Sequence, residues 1–201
     1  MALRAVAFVC SLKPSPASSS SELIARQLLD ELSAYDVGGE IVRVVDHDVR
    51  PGVENDMGNG DAWPRLRQKI LDADIFILST PTWVGHMSSV AQRVLERLDA
   101  ALSDTDDADR PILFDKVALA AVVGNEDGAH KIVADLFQAL NDTGFTIPAQ
   151  GCTYWNGEAM QGGDYNDLDD TPDAVKSANS MAVRNAAHLA QLLRSNAYPA
   201  K

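Results

Sequence analysis

The chain has 201 residues, 46% of them hydrophobic, and a formal net charge of -12 from 29 acidic and 17 basic side chains. That length fits one domain over 1–201 with a full core, and the acidity argues against a nucleic-acid partner, because phosphate backbones are bound by clustered Lys and Arg that release counterions. Two cysteines, Cys10 and Cys152, are too few for a disulfide framework, a four-cysteine cluster or a zinc ribbon, so no metal site is expected and a redox cofactor would be organic.

No segment reaches the roughly 20 apolar residues of a membrane span, and the start carries only Arg4 and a short apolar run; the expectation is a cytoplasmic protein without a membrane partner. Two acidic stretches, Asp104 to Asp109 and Asp164 to Asp173, read as solvated loops rather than ligand sites. Neither has the glycine and closing glutamate of a calcium loop.

Leu3 to Cys10 is an almost unbroken apolar run, as expected for a strand buried on both faces. A loop of prolines and serines, Ser11 to Ser21, leads to Ile24, Leu28 and Leu32 at helical spacing. Glu40 to Val45 reads as the second strand, Arg50 to Gly60 as a loop, and the residues after Asp61 as a short helix with Pro64 in its first turn. Ile75 to Thr80 is the third strand, and Val90, Val94, Leu98 and Leu102 mark the next helix. Val117 to Val123 follows as a strand, Ile132, Leu136 and Leu140 as a helix, Thr146 to Tyr154 as the fifth strand, and Pro172 to Arg194 as the last helix.

Strands alternating with helices imply a doubly wound α/β fold, a five-stranded parallel sheet with helices on both faces. Ligands in such folds collect outside the carboxyl ends of the strands, which here points to the residues after Cys10, Thr80, Val123 and Cys152. No G-x-G-x-x-G and no G-K-[ST] follows the first strand. A phosphoacceptor domain would need an acidic pair where Cys10-Ser11 stands and an aspartate where Ser79-Thr80 stands.

The loop that does follow, Ser11-Leu12-Lys13-Pro14-Ser15-Pro16-Ala17-Ser18-Ser19-Ser20-Ser21, offers hydroxyls and N–H groups at a helix N-terminus. These can hold a phosphate dianion. The same residues also read as a flexible linker or a plain cap, since Ser19-x-x-Glu22 is a capping box.

Three segments together resemble the flavodoxin-like NAD(P)H-dependent FMN reductase family: the first strand with its serine loop, Ser79-Thr80-Pro81-Thr82-Trp83-Val84-Gly85-His86-Met87-Ser88-Ser89, and Val123-Gly124-Asn125-Glu126-Asp127-Gly128-Ala129-His130. The resemblance implies the strand order 2-1-3-4-5 and bound FMN. It also implies hydride transfer from NADH or NADPH to that FMN and onward to a quinone, a nitro or azo compound, or free flavin. Ser11, Lys13, Ser18, Ser19, Ser20 and Ser21 would then hold the phosphate. Pro81, Thr82, Trp83, Val84, Gly85, Gly124, Asn125 and Gly128 would lie along the isoalloxazine ring, and the enzyme would pair as a homodimer or homotetramer.

Taken by themselves, Pro81 to Gly85 also read as a strand-to-helix turn, and Gly124 to Gly128 as a plain loop. His86 and His130 are candidates for hydrogen bonding an acceptor or delivering a proton, against the alternative of solvated loop histidines. Trp83, Tyr154 and Trp155 either stack on a flat ligand or serve packing. Cys10 and Cys152 are expected to be buried strand residues without chemistry. Two rival readings remain: an electron-carrier flavodoxin without a nicotinamide site, whose acidic surface suits a basic redox partner, and an interaction module with weak flavin affinity.

Overall fold

Strand β1, Leu3–Val9, buries every residue except Arg4, so its apolar run must be covered on both faces. The structure, a computed structural model describing residues 2–158 and 161–200, covers it with helices on each side. α1 (Ser20–Ser33) follows, then β2 (Val37–Arg43), α2 (Trp63–Leu71), β3 (Ile75–Trp83), β4 (His86–Met87), α3 (Ser89–Leu98), β5 (Val117–Gly124), α4 (Ala129–Asp142), β6 (Cys152–Asn156) and α5 (Asp173–Ser195). The strands run β2-β1-β3-β5-β6, all parallel, with β4 pairing antiparallel to β3 alone. With that two-residue strand set aside, the order is the expected 2-1-3-4-5, and the fold is flavodoxin-like.

One face of the sheet packs Phe8, Phe76 and Leu78 against Trp63 and Leu66 of α2, Val94 of α3 and Leu136 of α4. The other packs Ile77 and Leu119 against Ile24 and Leu28 of α1 and Val183 and Ala186 of α5. Cys10 lies in the first core and is fully buried, and burial pushes both its thiol and that of Cys152 upward.

Several boundaries differ from the sequence reading. β2 starts at Val37 and ends at Arg43, because Gly38 and Gly39 pair with Arg4 and Ala5 in register; two glycines hide an edge strand from a search for β-branched runs. Val44–Asp46 is a 3-10 turn instead. α3 stops at Leu98, and a 3-10 turn, Asp99–Ser103, carries the chain past Leu102. β6 begins at Cys152, not Thr146; Thr146 makes a single bridge to Val117, Pro148 has no N–H to offer a ladder, and Gln150 takes a positive φ of 56°.

β3 also runs past Thr80 to Trp83 and folds back through a two-residue turn into β4. Val84 (φ 53°) and Gly85 (φ 70°) form that turn, the left-handed pair that matches the twist of a hairpin. The strand-to-helix alternative for Pro81 to Gly85 is therefore replaced by a hairpin that precedes α3.

The loop from Val49 to Asp61 is anchored by a buried ion pair. Arg97 of α3 reaches Asp61 at 2.7 Å with both side chains fully buried, donates to the Arg50 and Glu54 carbonyls, and lies over the Trp63 ring. Burial by itself would raise the Asp61 carboxyl, but N–H donors from Met57, Trp63 and Arg50, together with Arg97, outweigh it and hold the group at about 2.

Candidate functional site

At the carboxyl ends of β1, β3, β5 and β6 the loops enclose a cleft of about 280 Å³, where the topology of a doubly wound sheet places ligands. One wall is the loop from Ser11 to Ser21. Ser19 caps α1, its Oγ accepting from Glu22 N–H at 3.3 Å, which leaves the first-turn N–H groups of Ser20 and Ser21 beyond the reach of helical carbonyls. Ser79 Oγ donates to the Ser21 carbonyl at 2.7 Å and ties the start of α1 to β3.

The rest of the loop is braced from β2. Arg43, 8% exposed, donates to the carbonyls of Lys13 and Ala17 at 3.3 and 2.6 Å and to Glu22 Oε2. The second half of the expected capping box is therefore not the one formed: Glu22 turns its carboxylate to Arg43 and Arg26 rather than back to Ser19. Partial burial alone would raise that carboxyl, yet the two guanidiniums hold it below its ordinary range, so it stays ionised and neutralised beside the serine loop. Asp46 accepts from Ser15 N–H and Oγ at 2.8 and 2.6 Å, and the Ser15 hydroxyl bond is the main cause of its lowered pKa.

The opposite wall is the hairpin and the loop after β5. Pro81, Thr82 and Trp83 line the cleft with Val123, Gly124 and Asn125. Gly124 sits against Thr82 so closely that a Cβ there would lie 2.7 Å from the Thr82 Cβ, so only glycine permits this approach of the two loops. Trp83 is half exposed and offers a flat apolar surface on one side; Trp155 lines the cleft from β6.

Of the residues singled out from sequence, Ser11, Lys13, Ser18, Ser19, Ser20, Ser21, Pro81, Thr82, Trp83, Gly124 and Asn125 share this one cleft. Val84, Gly85 and Gly128 stand outside its lining. Val84, 84% exposed, gives its N–H to Glu126 Oε1 at 2.8 Å, and Gly128 packs beneath the turn, where a Cβ would come within 2.8 Å of the Gly85 Cα. His86 Nδ1 lies 2.7 Å from the Val84 carbonyl oxygen and pins the same turn. His130 Nε2 is 2.9 Å from the Tyr154 hydroxyl, their rings edge to face, so both histidines and Tyr154 lie apart from the cleft lining.

A third wall was hidden in the acidic stretch read as a solvated loop. Asp164, Tyr165, Asn166 and Asp167 line the cleft, and Tyr165 is 2% exposed with its ring 5.5 Å from that of Trp155. Its single aromatic residue among carboxylates was the signal for burial. In the other acidic stretch, Asp104 pairs with Arg67 and Asp106 with Arg110. Ala159 and Met160, just before the Asp164 to Asp173 stretch, lie outside the described residues.

The donor set fits a phosphorylated flat ligand: hydroxyls, open N–H groups and Lys13 at one end, and closely approaching backbone flanked by Trp83 and Trp155 at the other.

Comparison with known proteins agrees. The chain is 30% identical over 210 residues to 8-demethyl-8-aminoriboflavin-5'-phosphate synthase of Streptomyces davaonensis, covering 98% of this chain and 81% of that protein. It is 33% identical over 206 residues to a protein of Mycobacterium bovis named divalent metal cation transporter MntH, but spans only 30% of that protein's length. No helix among the described residues is long and apolar enough to cross a membrane. Among solved structures, RosB with its bound intermediate 8-demethyl-8-formylriboflavin-5'-phosphate superposes with a TM-score of 0.89 at 28% identity, covering 98% of this chain and 82% of RosB. The NADH:FMN oxidoreductase EmoB shares the fold, with a TM-score of 0.65 at 21% identity over 98% of this chain and 92% of that one. The sequence pattern of NADPH-dependent FMN reductases matches residues 3–160, and the chain belongs to that family.

Proposed function

We propose that the cleft binds FMN, with its phosphate at Ser18 to Ser21 and its ring between the Pro81–Trp83 hairpin and Trp155, and that the protein is an NAD(P)H-dependent flavin oxidoreductase. The observation that carries this reading is the meeting, in one cleft, of a hydroxyl-rich helix start with a hairpin and a glycine that lets two loops touch. Bound flavin supplies the hydride and electron chemistry. The serine loop and Lys13 anchor the ligand, Arg43 keeps the loop in shape, and the half-exposed Trp83 flanks the entrance where a nicotinamide or an acceptor would approach. The acceptor belongs to the class of quinones, nitro or azo compounds and free flavin, and the acting unit is a homodimer or homotetramer.

The test is a titration of FMN and riboflavin into flavin-stripped protein, followed by anaerobic addition of NADH or NADPH. Saturable FMN binding with weaker riboflavin binding, and bleaching of the flavin by either nucleotide, is the expected result. Absence of FMN binding would remove the reading.

A second reading is favoured by the likeness to RosB and to the Streptomyces synthase: the flavin phosphate is the substrate that is altered, rather than a cofactor that is regenerated. The two readings share the cleft and part at one measurement. Mass spectrometry of flavin recovered after turnover shows unchanged FMN for a reductase and a changed ring for a flavin-modifying enzyme.

A further inference from the structure

We propose that the turn Asp164–Asp167 is a selectivity roof over the phosphate end of the cleft, admitting a flavin that ends in a single phosphate and rejecting one extended through a pyrophosphate to a second nucleotide. The inference rests on the flavin-phosphate reading and adds what that site excludes.

The turn is fastened to the loop it covers. Asn166 Nδ2 donates to Ser18 Oγ at 2.8 Å, so the roof is bonded directly to a residue of the serine wall. Tyr165 donates its hydroxyl to Gln27 Oε1 of α1 at 2.8 Å, and Gln27 Nε2 in turn donates to Thr171 Oγ1 at 2.8 Å. With the Tyr165 ring against Trp155, the turn is held by α1, by β6 and by the serine loop together.

Its own geometry is fixed by reciprocal caps. Asp167 Oδ2 accepts from Asp164 N–H at 2.8 Å, and the Asp164 side chain accepts from the Asp167 backbone. Both residues are exposed and both line the cleft, so the turn brings two carboxylates to the wall that Asn166 joins to Ser18. A phosphate in the serine loop has hydroxyls, N–H groups and Lys13 to offset them. A second phosphate further out would have to open the Asn166 to Ser18 bond and meet the carboxylates with no such donors. The roof also lies beyond the 3–160 span that the family pattern matches, so this chain carries it in addition to what the pattern describes.

The experiment measures dissociation constants for FMN, FAD and riboflavin on flavin-stripped wild type, on Asn166→Ala and on the double variant Asp164→Asn/Asp167→Asn. Asparagine keeps a side-chain oxygen for each cap, so the turn persists while both charges go; thermal melting of each variant checks this. Wild type is expected to prefer FMN over FAD by about a hundredfold, and each variant to narrow that ratio by about tenfold through tighter FAD binding, with riboflavin unmoved. The two variants remove different interactions, so misfolding of one leaves the other decisive. Equal binding of FAD and FMN by wild type, or an unchanged ratio in a folded variant, would overturn the roof. A wild type that binds none of the three flavins would instead take down the flavin-phosphate reading beneath it.

Discussion

Arg43 and Glu22 meet across the base of the serine loop, Arg43 Nε and Nη2 both donating to Glu22 Oε2 at 3.0 and 2.5 Å. The guanidinium also holds two loop carbonyls, so a strand residue sets the shape of a loop whose own sequence is serine and proline.

If the phosphate lies in this loop as proposed, that brace makes Arg43 a positioning residue for it. Arg43→Ala leaves Glu22 without its buried partner and frees the Lys13 and Ala17 carbonyls. FMN affinity is expected to fall about tenfold while riboflavin affinity stays within about twofold, since only the phosphate uses the loop. Removing the buried guanidinium from a half-buried carboxylate that keeps Arg26 also costs stability, here about 1 to 2 kcal/mol. The check is a pair of flavin titrations beside a urea melt; equal losses for both flavins would mean that the loop does not act on the phosphate.

The contrast between Ser18 and Arg43 shows what sequence could and could not reveal. The apolar run of β1 and the helical spacing of α1 fixed the position of the serine loop, because local pattern and tertiary burial agree there. Arg43 stands 26 residues from the Ala17 carbonyl it holds, and Asn166 stands 148 from Ser18; such pairs depend on strand order and leave no local mark. Gly38-Gly39 and Pro148 concealed the true limits of β2 and β6, and Val84 concealed the hairpin, since a β-branched residue at positive φ runs against turn preferences.

The buried pair of Asp61 and Arg97 sets an acid limit on stability. The folded carboxyl is held at about 2, below its ordinary value of 3.8, so its contribution is fully present above about pH 4 and is lost as pH falls through about 2. The amount is about 2 kcal/mol, the size of the downward shift. Asp61→Asn is expected to flatten stability against pH in that window and, by stranding Arg97, to cost about 3 kcal/mol at neutral pH. Denaturant melts from pH 2 to 7 on both proteins measure it; parallel curves would show that Asp61 is not the titrating group.

Thr82 offers a gain rather than a loss. Its Oγ1 is buried without a hydrogen-bond partner, and a buried unsatisfied hydroxyl costs about 1 to 3 kcal/mol. Thr82→Val keeps the branched shape and removes the orphan, so the protein without flavin should melt a few degrees higher, on the scale of about 1 kcal/mol. A lower melting temperature would mean that the hydroxyl is satisfied in solution.

Gly128 tests whether the hairpin is held from below. It takes φ 127°, a conformation nearly closed to other residues, and an added Cβ would press within 2.8 Å of the Gly85 backbone. Gly128→Ala must therefore shift the turn that Glu126 and His86 fasten at Val84, and with it the Trp83 wall of the cleft. A loss of about 2 kcal/mol in stability is expected, together with weaker binding of both FMN and riboflavin, because the change disturbs the proposed ring side rather than the proposed phosphate side. That pattern is the reverse of the one expected for Arg43→Ala, so the two variants, titrated with the same two flavins, assign the ends of the cleft; selective loss of FMN in Gly128→Ala would place the phosphate at the hairpin instead.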